Sequence, residues 1–129
     1  MEPRKRVLII DDESDIAILL RQTLTDASFE ADIASGGQKG IEMAESRDFD
    51  LILLDMSMPD IDGMEVLRRL RGLEKTKHVP VIFITGSALD VDQIVAALEL
   101  DPSDFVTKII SPKELIARIN WVFKKHQVS

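Results

Sequence analysis

The 129-residue sequence has no cysteine and no tyrosine, and a single tryptophan. Without cysteine there is no disulfide scaffold, no thiolate metal site and no cysteine nucleophile, which suits a reducing compartment. Long apolar runs are missing too: none approaches the ~20 residues of a membrane span. The basic start Arg4-Lys5-Arg6 is followed only by the short run Val7 to Ile10 and then by acids, too little for a signal-peptide core. It reads as a solvated lead-in to a first strand, and the chain as cytoplasmic. Positive charge is in deficit, with a formal net charge of −7. A polyanion is recognised by clustered Lys and Arg, so direct nucleic-acid binding is not expected. No internal repeat, low-complexity tract or linker divides the sequence.

Hydrophobic residues make up 45% of the chain, ordinary for a globular protein. The length suits one compact domain over 1–129, able to bury roughly two thirds of its unfolded surface. Three short runs are almost wholly apolar: Val7-Leu8-Ile9-Ile10, Leu51-Ile52-Leu53-Leu54 and Val81-Ile82-Phe83-Ile84. Strands of a parallel sheet read this way because helices cover both faces. Weaker strands are predicted at 30–34, where polar Asp32 suits an edge, and at 103–106. Apolar residues at helical spacing predict helices over 14–27, 37–46, 63–71, 88–100 and from Ser111 to about 125. The last has Ser111 as N-cap, Pro112 at the first helical position and Glu114 to close a capping box. Strand followed by helix, five times, implies an α/β fold: a doubly wound parallel sheet with right-handed crossovers. Such sheets bind ligands at the carboxyl ends of their strands.

Reading that edge residue by residue gives Asp11, Asp12 and Glu13 after the first strand, Asp55 after the third, Thr85-Gly86-Ser87 after the fourth, and Thr107-Lys108 after the fifth. Carboxylates at 11, 12 and 55 would leave adjacent strands, repel one another, and need a cation. Oxygen ligands without His or Cys select Mg²⁺ or Mn²⁺. Asp55 is then also an oxygen nucleophile toward phosphorus. Charge on a transferring phosphoryl group would be met by the metal, the Lys108 ammonium and the Thr85 hydroxyl.

These positions resemble those of the two-component response-regulator receiver domains, the CheY-like family, over essentially the whole length. The matching residues are Asp11-Asp12, the segment Leu54-Asp55-Met56-Ser57-Met58-Pro59-Asp60-Ile61-Asp62-Gly63, Thr85, and Asp104-Phe105-Val106-Thr107-Lys108. The resemblance implies a five-stranded (βα)5 flavodoxin-like sheet of order 2-1-3-4-5. It implies Asp55 as phospho-acceptor, with Mg²⁺ ligated by Asp12 and Asp55, by Asp11 through water, and by the backbone carbonyl of Ser57. Lys108 pairs with the phosphoryl oxygens. Thr85 moves inward to bond the phosphoryl group and Phe105 fills the vacated space, which switches the face of the fourth helix, fifth strand and fifth helix. The implied partners are a histidine kinase or histidine phosphotransfer protein, a downstream effector domain or protein, and a second copy through that face. The family usually carries Pro after the active-site Lys. Here Ile109 follows Lys108, and a trans bond is expected because a non-proline cis bond costs ~3–4 kcal/mol. The switch residue is Phe105 rather than the frequent Tyr, so it brings no hydroxyl. Small neutral Ser57 and Ser87 should flank the acyl phosphate.

Other functions remain in play. An aspartyl-phosphate phosphatase-type enzyme would carry a second Asp two residues after the nucleophile, where this chain has Ser57. A flavin or nucleotide carrier would need a Gly- or Ser/Thr-rich phosphate cradle after the first strand, where this chain has acids. A degenerate receiver acting only through contacts would not need the full acidic, Thr and Lys set. Asp60 and Asp62 read as loop and N-cap residues, Arg68-Arg69-Arg71 as a solvated helix face, and His78 and His126 as surface. Trp121 and Phe123, two apart on one helix, must point to different sides, so one contributes to an exposed apolar patch.

Overall fold

The three apolar runs form the middle of one parallel sheet. The computed structural model describes residues 4–86, 104–107 and 110–128. Its strands are β1 (Arg6–Ile10), β2 (Glu30–Ala34), β3 (Leu51–Asp55), β4 (Val81–Thr85) and β5 (Asp104–Thr107), ordered β2-β1-β3-β4-β5. Its described helices are α1 (Ser14–Asp26), α2 (Gly37–Ser46), α3 (Gly63–Arg71) and α4 (Pro112–Val128). The helix predicted over 88–100 lies outside the described residues, as does the Lys108–Ile109 peptide.

The apolar runs are unbroken because both faces of the sheet are covered. Leu8, Ile10, Ile52, Leu54, Val81 and Phe83 pack in one core with residues of α2 and α3. Their neighbours in sequence, Val7, Ile9, Leu51, Leu53, Ile82 and Ile84, pack in the other with residues of α1 and α4. None exceeds 2% exposure, and each such side chain contributes about 1.5–3 kcal/mol of burial free energy. The edge expected at β2 is there. Its burial is partial, and Asp32 is held by Arg6 and Arg47 at 4.0 and 3.6 Å. Phe49 lies under the same two guanidinium groups, at 5.9 and 5.7 Å from its ring centre.

Element ends follow local chemistry. The Asp62 side chain caps α3 by accepting from the Glu65 N–H at 2.9 Å, and the Ser111 hydroxyl caps α4 by accepting from the Glu114 N–H at 3.1 Å. α4 runs three residues past the predicted end at 125, and β5 sits one residue later than 103–106. α1 stops at Asp26 instead of 27 in a Schellman turn: Phe29 N–H donates to Leu24 O and Ser28 N–H to Thr25 O, both at 3.0 Å. Ser28 takes the left-handed conformation this turn demands, with φ 70°. Arg71 departs from the solvated-face expectation. It is half-buried, and its guanidinium donates to the carbonyls of Thr76 and Val79 at 3.4 and 2.8 Å, stitching the turn that leads into β4. Arg68 and Arg69 do stay on the surface, both paired with Glu65.

Candidate functional site

Strand pairing brings the acids together. β1 and β3 run side by side with Ile10 opposite Leu54, so Asp11 and Asp55 arrive at the carboxyl edge at the same height. Both are buried at 1% exposure, whereas Asp12 faces solvent. One carboxylate oxygen from each of Asp11, Asp12 and Asp55 lies within 4.8 Å of the others. Like charges so close raise each other's energy steeply where water is partly excluded. A hard divalent cation relieves this, and an all-oxygen donor set suits Mg²⁺ or Mn²⁺ bound directly or through retained waters. The residues present therefore fit such an ion.

Backbone groups hold the acids in place. Asp11 Oδ1 accepts from the Glu13 N–H at 2.9 Å, and the Asp11 N–H donates to Ala34 O at 3.1 Å. Asp55 Oδ1 accepts from the Ser57 N–H at 3.1 Å. The loop after Asp55 is closed by two further bonds, Met56 N–H to Ile84 O at 3.0 Å and Gly63 N–H to Met56 O at 2.9 Å. Gly63 is required there: a Cβ at 63 would overlap the carbonyl oxygen of Asp55 and the Cα of Met56. Its place in the matched segment is the one sign of this in the sequence.

Thr85 ends β4, half-buried, one residue beyond the Ile84 that pairs with Asp55. The sheet therefore carries the Thr85 position to the acidic edge. Across it stands Thr107 of β5, and Phe105 is in register with Phe83. Ser87 and Lys108 lie outside the described residues, and the Phe105 side chain is likewise not described. Ser57 is exposed beside the acids. Asp62 is an N-cap, as expected. Asp60 does more than a loop residue would: its carboxylate accepts from the Gly37 N–H at 3.2 Å and the Gln38 N–H at 3.1 Å, at the start of α2. These backbone donors, Gln38 foremost, lower its pKa from the ordinary value of 3.8. The one hint in the sequence was Gly36-Gly37, a helix start without a capping side chain.

Away from this edge, Trp121 is 56% exposed with the Lys125 ammonium 5.1 Å from its ring centre. Phe123 instead stacks on Phe29 at 6.1 Å, so the two aromatics do face different sides. His78 is exposed, and the His126 side chain is not described. No helix among the described residues is long and apolar enough to cross a membrane.

The comparisons agree with this geometry. The sequence profile of the response regulator receiver domain matches residues 7–120. The chain is 40% identical over 122 residues to the transcriptional activator protein IrlR of Burkholderia pseudomallei, covering 95% of this chain and 52% of that protein. It is 32% identical over 125 residues to the alkaline phosphatase synthesis transcriptional regulatory protein PhoP of Bacillus subtilis, covering 97% of this chain and 51% of that protein. The chain thus spans about half the length of the curated relatives it matches. Among solved structures it is similar to a CheY-like receiver domain protein from Methanospirillum hungatei, with a TM-score of 0.88, 27% identity, and 98% and 99% of the two chains covered. A parallel sheet with clustered acids at its carboxyl edge, and a profile match over nearly the whole chain, lead to one conclusion: this chain belongs to the response regulator receiver domain family of two-component systems.

Proposed function

We propose that Asp55 is the phospho-acceptor and that Asp12, Asp55, the Ser57 backbone carbonyl and, through water, Asp11 hold Mg²⁺ or Mn²⁺. A carboxylate oxygen of Asp55 attacks phosphorus. The P–N bond of a phosphohistidine, or the P–O bond of an acyl phosphate, breaks as the new O–P bond forms, and imidazole or a carboxylate leaves. Water later hydrolyses the acyl phosphate, returning Asp55 and inorganic phosphate. The ion, when bound, supplies positive charge for the phosphoryl oxygens. Lys108 meets a second oxygen as a point charge, and Thr85 donates its hydroxyl to a third. Phe105 follows Thr85, and the face made by 88–100, β5 and α4 changes with it. The chain acts as one domain over 1–129, working in the cytoplasm.

The observation that carries this reading is the shared approach of the Asp11, Asp12 and Asp55 carboxylates to within 4.8 Å. The chain catalyses its own modification and does not turn over outside substrates, since Ser57 occupies the place where a phosphatase of this chemistry carries its acid. The donor is a histidine kinase or histidine phosphotransfer protein. An apolar cleft of about 100 Å³ between α1 and the start of α4, lined by Ile16, Leu19, Leu20 and Leu115, supports docking beside the acids. Output passes to an effector, on the same polypeptide or another, in keeping with relatives named as transcriptional regulators. Exposed Trp121 supports a contact surface on α4 for that effector or for a second copy.

Intact mass after incubation with Mg²⁺ and acetyl phosphate is expected to show one phosphoryl adduct on the parent, none on Asp55→Asn, and none in excess EDTA. An adduct that survives the substitution overturns the assignment.

A further inference from the structure

The loop 56–62 joins Asp55 to α3 and bears Ser57. Hydrogen bonds fasten its two ends, Met56 N–H to Ile84 O and Ser57 N–H to Asp55 Oδ1 at one, Gly63 N–H to Met56 O at the other. Between them Met58 is buried, but Ser57, Pro59 and Asp60 are exposed, so packing holds this stretch only in part. Asp60 ties it to a different element. Oδ1 accepts from Gly37 N–H and Oδ2 from Gln38 N–H, at 3.2 and 3.1 Å. α2 has no capping side chain of its own, because its N-cap is Gly36. A Cβ at Gly36 would stand 3.1 Å from Asp60 Oδ2, close enough that the carboxylate would have to give by a few tenths of an ångström. α2 in turn is seated on β1, where a Cβ at Gly40 would run into the Ile10 side chain. Ile10 directly precedes Asp11. One run of contacts therefore links the strand that presents Asp11, through α2 and Asp60, to the loop that presents Ser57.

We infer that Asp60 is a positioning residue for the metal site: its bidentate bond to the start of α2 holds the Ser57 backbone level with the Asp11, Asp12 and Asp55 carboxylates. This rests on the Ser57 carbonyl acting as a ligand, as proposed above. A loop without this tether must be ordered when the ion binds, and that cost appears in the affinity. Groups that orient a ligand without touching the metal commonly change affinity by about 10–100-fold. One backbone ligand among several places Asp60 near the lower end.

Mg²⁺ titration by calorimetry, paired with thermal melts in EDTA, separates positioning from plain stability. Asp60→Ala is expected to weaken Mg²⁺ binding about tenfold, and Asp60→Asn, which keeps one acceptor oxygen, to fall between it and the parent. The control is Thr76→Val, which removes the buried hydroxyl bonded to Leu70 O at 2.5 Å, far from the acids. It is expected to lower the melting temperature while leaving Mg²⁺ affinity at the parent value. Parent-like affinity in Asp60→Ala overturns the inference and leaves the metal site standing. So does a loss in Thr76→Val as large as in Asp60→Ala. A parent that binds no Mg²⁺ at all overturns the metal site itself, and the inference with it.

Discussion

At the scale of single residues, two side chains take backbone duties that a glycine or a local cap usually performs. Ser28 closes α1 with φ 70°, a conformation in which a Cβ crowds the following carbonyl. Glycine has no such clash but gains unfolded-state freedom. Ser28→Gly is therefore expected to raise stability by about 0.5–1 kcal/mol, the part of the clash that remains after that offset, measured by urea unfolding. Asp60 caps a helix it does not belong to. Because folding lowers its pKa below 3.8, the folded chain binds fewer protons at this site than the unfolded one. Its contribution is full above the unfolded pKa and is lost as pH falls through the folded one. Melting temperatures of the parent and Asp60→Asn should therefore differ at neutral pH and draw together below about pH 4, near the unfolded carboxylate value.

At the scale of elements, strand ends set the site: Asp11 and Asp12 follow β1, and Asp55 and Thr85 are the last residues of β3 and β4. α3 illustrates the economy of this. Asp62 caps it, Gly63 lets its first turn press against the Asp55 backbone, and Glu65 gathers Arg68 and Arg69 on the outer face. Asp62→Ala removes an N-cap acceptor and is expected to cost about 1 kcal/mol by chemical denaturation, without abolishing labelling of Asp55. In the sequence the far end of α3 reads as fully solvated, because Arg68-Arg69-Arg71 looks uniform. Only the turn of chain after the helix gives Arg71 two carbonyls to bond.

At the scale of the whole molecule, the sheet works as a rigid plate that pushes acids together at one edge. Its cohesion comes from apolar side chains that alternate between two cores, and the repulsion among Asp11, Asp12 and Asp55 is set against it. Two linked outcomes follow. Mg²⁺ at a hundred times its dissociation constant is expected to add about 2.7 kcal/mol to stability, and EDTA to remove that gain. In EDTA, Asp55→Asn is expected to melt higher than the parent, since one of three crowded charges is gone; with Mg²⁺ present the order should reverse. Thermal melts of both proteins with and without the ion check this.

The sequence by itself determined the described strands and helices to within a few residues, the edge place of β2, the caps on α3 and α4, and the arrival of Asp11, Asp12, Asp55 and Thr85 at the carboxyl edge. Apolar periodicity and capping chemistry are local, so they are written in consecutive residues. Tertiary structure alone decided that Asp60 caps α2, that Arg71 anchors the turn before β4, and that Gly63 must stay bare behind Asp55. Each of these depends on atoms far apart in the chain or on a close approach set by packing, and no pattern in neighbouring residues encodes such distances.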